Sequence, residues 1–571
     1  MKRLFRIVLV LVITVLVVRW LWPDGVDIEP GSVLVVDVGG GYVEGAQPPL
    51  LARLMGEREK PLGALLGPLA LARRDDRLAG VVLRIRGLEV GWAKAQEIRD
   101  AIQRLSAAGR KTVAHLEIES FSANLEYYVA SAADEVVVGP ASRAALVGLA
   151  GEYLFLGGLF EKLGIDFEVE RIGRFKTAAD TLAGREMSDA HREMAEALLD
   201  SLDAQFVGGI ASARGLNEEF VRRAIDSAPA APDELLGWKL VDAVASFEDV
   251  PARIGDGPVV EARDYAQIDP ASAGFAPAAT LAVIYGSGGV VTGEGRSTPT
   301  GNRVLASETI SKALEAAAES DEVEAILFRI DSPGGSALAS DLVWEAVGRA
   351  QQAGKPVIAS FSDVAASGGY YVAAGADAIV AQPGTLTGSI GVFVLRPVLG
   401  QALGKLGIGV ETLTRGAYAD LQLASQPLSP SSRERLRAEV KSVYDLFVER
   451  VAAGRPLDAE GVDAVARGRV WTGAQAAERG LVDELGGLRT AVSRALVLTG
   501  HDADADVTLM PFPRPRSVPE QLAEALGLAV RSAAQAPLAP LPEWTARLEP
   551  WLRAARGREI SALLPFPIAV R

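Results

Sequence analysis

The chain has 571 residues, a formal net charge of −15, 49% hydrophobic and 23% charged residues, and no cysteine. That length is too great for one hydrophobic core and predicts two or more domains. The acidic balance excludes a nucleic-acid partner, whose recognition needs a basic face. Without cysteine, and with His115, His191 and His501 as the only histidines, disulfides, thiolate chemistry and histidine-rich metal centres are excluded as well.

The N-terminus, "MKRLFRIVLVLVITVLVVRWLWPDG", places Lys2, Arg3 and Arg6 ahead of an apolar run from Ile7 to Val18. The run is shorter than the roughly 20 residues of a membrane span. Leu4 and Phe5 extend it on one side and Trp20 to Trp22 on the other, while Arg6 and Arg19 can reach the interfaces. No small-residue cleavage site comes after it, so residues 1–23 are read as an uncleaved anchor, not a signal peptide. The preceding basic residues then keep the N-terminus in the cytoplasm and the body outside.

Beyond the anchor the chain repeats itself. "AGVVLRI" from Ala79 matches "EAILFRI" from Glu324, Tyr127-Tyr128 matches Tyr370-Tyr371, Ala133-Asp134 matches Ala376-Asp377, and Leu240-Val241-Asp242 matches Leu481-Val482-Asp483. Each copy alternates β-branched runs such as "KTVAHLEI" and "DFEVERI" with helical stretches such as "AKAQEIRDAIQRLSAAG" and "DAHREMAEALLDSLDAQFVGGIASARG". The pattern predicts an α/β layer fold with largely parallel pairing. The expected units are residues 31–265 and 276–500, joined by "DYAQIDPASAGFAPAA". A proline-rich tail occupies 501–571.

The copies differ where chemistry would be done. "DVAASGGYYVAAGAD" puts Ser367 ahead of Gly368-Gly369, whereas the first copy has Asn124 followed by Leu125-Glu126. The second copy carries "RIDSPGGS", a turn set by Pro333 with Gly334 and Gly335; the first has "RIRGLEVG". Conversely, "RIGRFKTAADTL" holds Lys176, and Ala419 stands at its counterpart. A serine hydroxyl needs a base, and a lysine desolvated by neighbours such as Phe175, Ala178 and Ala179 can be one. Amides near Gly334, Gly335 and Gly368 are candidate oxyanion donors. Taken alone, the serine, the lysine and the Gly-Gly turn each read as structural; their division between the copies favours a shared active site. A triad of Ser367, His115 and Asp363 is the weaker alternative.

At these residues the chain resembles the signal peptide peptidase A family in its long, duplicated form. The resemblance rests on "DSPGGS", "AASGGYYVAAGAD", "TLTGSIGV" (Thr385 to Val392), "GRVWTGAQAAERGLVDELGG" (Gly468 to Gly487) and "GRFKTAAD". Phe175 and Thr177 flank the lysine where the family usually has tyrosine and serine. The resemblance implies a tandem Clp protease/crotonase-like superhelix of ββα units, with Ser367 as nucleophile and Lys176 as general base. It further implies a cofactor-free, bowl-shaped homotetramer on the bacterial inner membrane, facing the periplasm and degrading signal peptide remnants. The alternatives are a crotonase-like acyl-CoA enzyme and an inactive membrane scaffold.

Overall fold

The computed structural model describes residues 27–45, 60–295, 303–514 and 561–563. The expected anchor and most of the proline-rich tail lie outside them; among the described residues no helix is long and apolar enough to cross a membrane.

In the first repeat, strands β1 (Ser32–Val43), β2 (Leu78–Glu89), β3 (Lys111–Leu116) and β4 (Glu135–Val138) lie side by side in that order, all parallel. Val81, Val82, Leu83 and Ile85 are buried consecutively or nearly so along β2, as expected for a parallel strand covered on both faces. Crossovers run through α1 (Trp92–Ala107) and α2 (Asn124–Ala130). Strand β5 (Asp166–Ile172) and the long α3 (Asp189–Arg214) come next. Helix α3 starts where the Ser188 side chain accepts from the His191 amide and stops at left-handed Gly215. Met194, Leu198, Leu202, Phe206 and Ile210 form its buried stripe.

The second repeat contains β6 (Pro277–Ser287), β7 (Ala325–Ser332), β8 (Gly334–Ser336), α4 (Ala337–Gln352), β9 (Val357–Ala366), α5 (Gly368–Tyr371), β10 (Ala378–Ala381), β11 (Leu386–Gly388), β12 (Val392–Val398) and α6 (Pro430–Gly454). Strands β6, β7, β9 and β10 are parallel neighbours, the arrangement of β1 to β4 over again. A further parallel strand, β13 (Asp506–Phe512), flanks β6.

The duplication reaches individual hydrogen bonds. Tyr127 Oη donates to Leu240 O at 2.6 Å, and Tyr370 Oη to Leu481 O at 2.9 Å. Asp134 accepts from the Thr112 amide at 2.8 Å, and Asp377 from the Val357 amide at 2.7 Å. Asp242 takes the Val136 amide and Asp483 the Ile379 amide. Matched residues in the sequence are thus matched fasteners between helix, strand and loop.

The copies part company at β5. It leaves the first sheet and pairs antiparallel with β12 of the second repeat, from Asp166 opposite Val398 to Ile172 opposite Val392. A third sheet therefore crosses between repeats, with Val304–Ala306, Gly289–Val291, β8, β14 (Ser561–Leu563), β12 and β5 in that order. Helix α1 adds a second joint. Its Gln96 Oε1 accepts from the Gly384 amide at 2.7 Å, and its Glu97, with Glu44, pairs with fully buried Arg329 on β7 at 2.5 and 2.8 Å.

Candidate active site

Ser367 sits where β9 turns into α5, at φ 56° and ψ −117°. A non-glycine residue at positive φ is strained and persists only where its surroundings hold it. They do so here: the Ser367 amide donates to Gly388 O at 2.8 Å, while Ser367 O accepts from the Tyr370 and Tyr371 amides at 3.0 and 2.8 Å. The two glycines after it allow β8 and the end of β7 to approach. A methyl group on Gly368 would lie 2.7 Å from Ser340 Oγ and 3.0 Å from the Gly335 nitrogen, and one on Gly369 only 2.5 Å from Ser332 O. The "SGG" triplet is thus a sharp turn pressed against the "SPGG" loop, which needs residues without Cβ.

Lys176 arrives from the first repeat, just after β5. Gly173 and Gly468, both at positive φ, let its loop close onto the second repeat, where the Phe175 amide donates to Arg467 O at 3.0 Å. Its Nζ lies 2.6 Å from Ser367 Oγ, 2.8 Å from Ser389 O and 3.0 Å from Ser389 Oγ. Lys176, Ser367 and Ser389 are all fully buried. Burial pushes the lysine well below its ordinary pKa. Three oxygens thus surround the Nζ, with Ser389 O and Oγ within hydrogen-bond reach and Ser367 Oγ nearest of all.

Gly334, Gly335 and Gly368 come together beside this pair. The Gly334 amide donates to Ser332 Oγ at 3.2 Å, and Ser332 Oγ donates to Gly288 O at 2.6 Å, which fixes the loop. The neighbouring strand position is filled by β14, which runs antiparallel to β8, with Gly334 opposite Leu563, Gly335 opposite Ala562 and Ser336 opposite Ser561. On its other side β14 touches β12 through Ser561 and Phe393.

The counterpart in the first repeat is built differently. Asn124 spends its amide on structure, donating to Gly148 O at 2.8 Å and accepting from the Val147 amide at 3.1 Å. His115 stays in the first sheet with Nε2 3.1 Å from Ala245 O, and burial lowers its pKa. Asp363 is engaged by Lys94 Nζ at 2.7 Å and by the Gly91 amide at 3.1 Å. The alternative triad therefore has neither its histidine nor its aspartate aimed at Ser367.

Two functional features are not evident from the sequence alone. Ser389 completes the lysine's surroundings from "TLTGSIGV", and its signal was present, because Leu146 stands at the corresponding place in the first copy. The second is Lys94, which faces Asp331 and Asp363 together. Burial opposes its charge, yet Asp331, Asp363 and Glu44 hold the ammonium far above the ordinary lysine range.

Layered α/β repeats and a serine on a strained strand-to-helix turn are compatible with a hydrolase, and the comparisons with known proteins define the class as serine endopeptidases. The family described as Peptidase family S49 matches residues 106–258 and 349–501, once in each repeat, and the chain belongs to that family in its long, duplicated form. The chain is 35% identical to "Serine protease SPPA, chloroplastic" of Arabidopsis thaliana over 80% of its own length and 69% of that protein. It is 30% identical to "Protease 4" of Salmonella typhi over 77% of this chain and 72% of that one. The family match supports a serine endopeptidase over the acyl-CoA enzyme and the inactive scaffold.

Proposed function

We propose that the protein is a Ser-Lys endopeptidase that degrades cleaved signal peptides and similar apolar, unfolded peptides. The observation that carries this reading is the 2.6 Å approach of Lys176 Nζ to Ser367 Oγ in a site where burial disfavours the ammonium form. The neutral amine of Lys176 takes the Ser367 proton as Oγ attacks the scissile carbonyl. Amides at Gly335 and Gly368 receive the developing oxyanion, while that of Gly334, held by Ser332 Oγ, keeps the loop in place. The resulting ammonium protonates the leaving amine, whose departure leaves an ester on Ser367. Lys176, neutral again, then takes a proton from the water that attacks the ester and gives it to Ser367 Oγ as the C–Oγ bond breaks, which frees the acid product and restores the resting pair.

The place of β14 supports the mode of binding. An extended segment lies between β8 and β12 with its backbone paired to Gly334–Ser336, the geometry of a substrate added as a strand. Alternating pockets along such a strand suit apolar side chains, whose burial supplies about 25 cal/mol per Å². "Putative signal peptide peptidase SppA" of Enterococcus faecium, 37% identical over 29% of this chain, is named for such substrates.

The finer architecture belongs to the same proposal. Residues 31–265 and 276–500 form two Clp protease/crotonase-like units, residues 1–23 anchor them to the bacterial inner membrane with the body on the periplasmic side, and four chains assemble. Support for assembly comes from the β5–β12 joint. The second repeat's counterpart of β5, residues 409–415, lies outside any strand, and Leu413 there is 94% exposed. The first repeat's counterpart of β12, residues 149–155, carries exposed Leu154. Pairing one chain's 409–415 with the next chain's 149–155 repeats the joint between molecules, a head-to-tail contact that can close into a ring.

Reaction with a fluorophosphonate probe, combined with peptide mapping, tests the assignment. The label is expected on Ser367 in the native protein and is expected to disappear in Lys176→Ala. A peptidase-active protein labelled elsewhere, or labelled equally without Lys176, overturns it.

A further inference from the structure

Strands β7 and β9 run in register from Ile326 opposite Val357 to Ile330 opposite Phe361, but Ser332 then lies opposite Ala365. Between those two pairs β7 contributes Asp331 alone, while β9 contributes Ser362, Asp363 and Val364. Such a bulge bends the longer strand and re-aims the residues beyond it. Beyond this one lie Ser367, directly after β9, and the Ser332–Gly335 loop from the end of β7 into β8, the two halves of the reaction centre.

The bulge holds two carboxylates, and a cation from the other repeat bridges them. Lys94 Nζ lies 2.6 Å from Asp331 Oδ2 and 2.7 Å from Asp363 Oδ2. The lysine side chain is 6% exposed and the two carboxylates 22% and 17%, so these contacts are less open to water than a surface ion pair. The opposite oxygens hold backbone. Asp331 Oδ1 accepts from the Val364 amide at 3.2 Å, and Asp363 Oδ1 accepts from the Lys94 amide at 2.9 Å. Side chain and amide of one residue at the head of α1 therefore fasten both strands immediately before they diverge toward the site. With the ammonium absent, two part-buried carboxylates in one bulge would repel and spread the strands.

We infer that Lys94 is a positioning residue for the peptidase reaction: by bridging Asp331 and Asp363 it fixes the spacing between the nucleophile turn and the Gly334–Gly335 loop. This rests on Ser367 being the nucleophile and goes beyond that reading, because it assigns a role to a residue that touches neither the serine nor its base.

The test compares native protein with Lys94→Met and with Lys94→Met/Asp363→Asn, measuring kcat and KM on an apolar peptide, the rate of fluorophosphonate labelling at Ser367, and Tm. In the double variant one carboxylate is neutral, so it keeps the fold if the single variant cannot. Both folded variants are expected to lose about 10²-fold in kcat, the effect of a small misplacement of reacting groups. KM should stay within about threefold, and labelling should slow in parallel with kcat, because both need Ser367 aligned with the oxyanion donors. A folded variant with native kcat, a loss confined to KM, or a loss that vanishes on cooling to where the variant is as folded as native overturns the inference. Native protein labelled somewhere other than Ser367 condemns the nucleophile assignment instead, so the two failures are distinguishable.

Discussion

Gly468 presses directly on Lys176. A methyl group on Gly468 would lie 2.5 Å from the Lys176 nitrogen and 2.6 Å from its Cα, and Gly468 already holds φ at 78°. The loop that delivers the lysine is thus moulded against the second repeat by backbone contact. Gly468→Ala has to move one of the two segments or bear a strain of about 1–3 kcal/mol. We expect kcat to fall at least tenfold with a modest drop in Tm, measured by peptide turnover and calorimetry. Native kcat in this variant would show that the loop is free to shift.

Ser367→Ala and Lys176→Ala should each reduce turnover by about 10⁴-fold or more, and the double variant should be hardly worse than either, since residues acting as one unit are not additive. Asn124→Ala and Ala419→Ser, at the corresponding places in the other copy, should leave kcat within a small factor of native. Multiplicative losses in the double variant would separate the serine from the lysine.

The pH dependence has two readouts of the same lysine. Activity requires the neutral amine, so kcat/KM should rise with pH through a pKa well below the free lysine value and fall in acid. Stability tracks the proton count. Above the lowered folded pKa and below the unfolded pKa of roughly 10.4, the unfolded chain binds a proton that the folded chain does not. The buried lysine therefore costs stability in that window, and the cost shrinks as pH rises. Relative to Lys176→Met, native Tm should improve steadily from neutral pH toward about 10. A difference in Tm that is flat in pH would mean a lysine that stays charged.

Strand β14 occupies the place where a peptide would pair with Gly334–Ser336. Ending the chain after Arg514 should lower KM for apolar peptides severalfold and leave kcat nearly unchanged, because only a competitor for the same strand position is removed. Steady-state kinetics on the two forms decide this, and an unchanged KM would mean that β14 does not compete.

If the proposed ring forms, Leu413→Asp, which places a charge in the exposed counterpart of β5, should convert it to monomers in light scattering, while Leu406→Asp, on a neighbouring exposed residue before that stretch, should do so less. Retention of the full assembly by Leu413→Asp would exclude this face.

Much of the fold was legible because the chain is written twice. Matching tyrosines and aspartates marked the same fasteners in each copy, and consecutive β-branched residues marked strands buried on both faces. The asymmetry between copies pointed to Ser367 and Lys176, which the structure places side by side although one stands 191 positions from the other. The features that stayed hidden depend on contacts between the copies. Nothing local in "DFEVERI" says that it leaves its own sheet for β12, because the alternation suits either neighbour. Lys94 reads as a polar position on an amphipathic helix until the bulge at Asp331 and Asp363 is seen around its ammonium. Ser389 reads as one more small residue in a glycine turn unless it is set against Leu146 of the first copy; its positive φ and the amine beside it then mark it out.

The separation of Lys176 from Ser367 and Ser389 also orders events in time. A ribosome builds the lysine loop first and reaches Ser389 only after a further stretch of some 210 residues, about 10–40 s later at ~5–20 residues per second. Until Ser367 has been added, the nascent chain carries the proposed base without the proposed nucleophile. On the proposed Ser-Lys assignment, an unfinished copy lacks one half of the pair, and proteolysis can begin only when both halves have been made and have met.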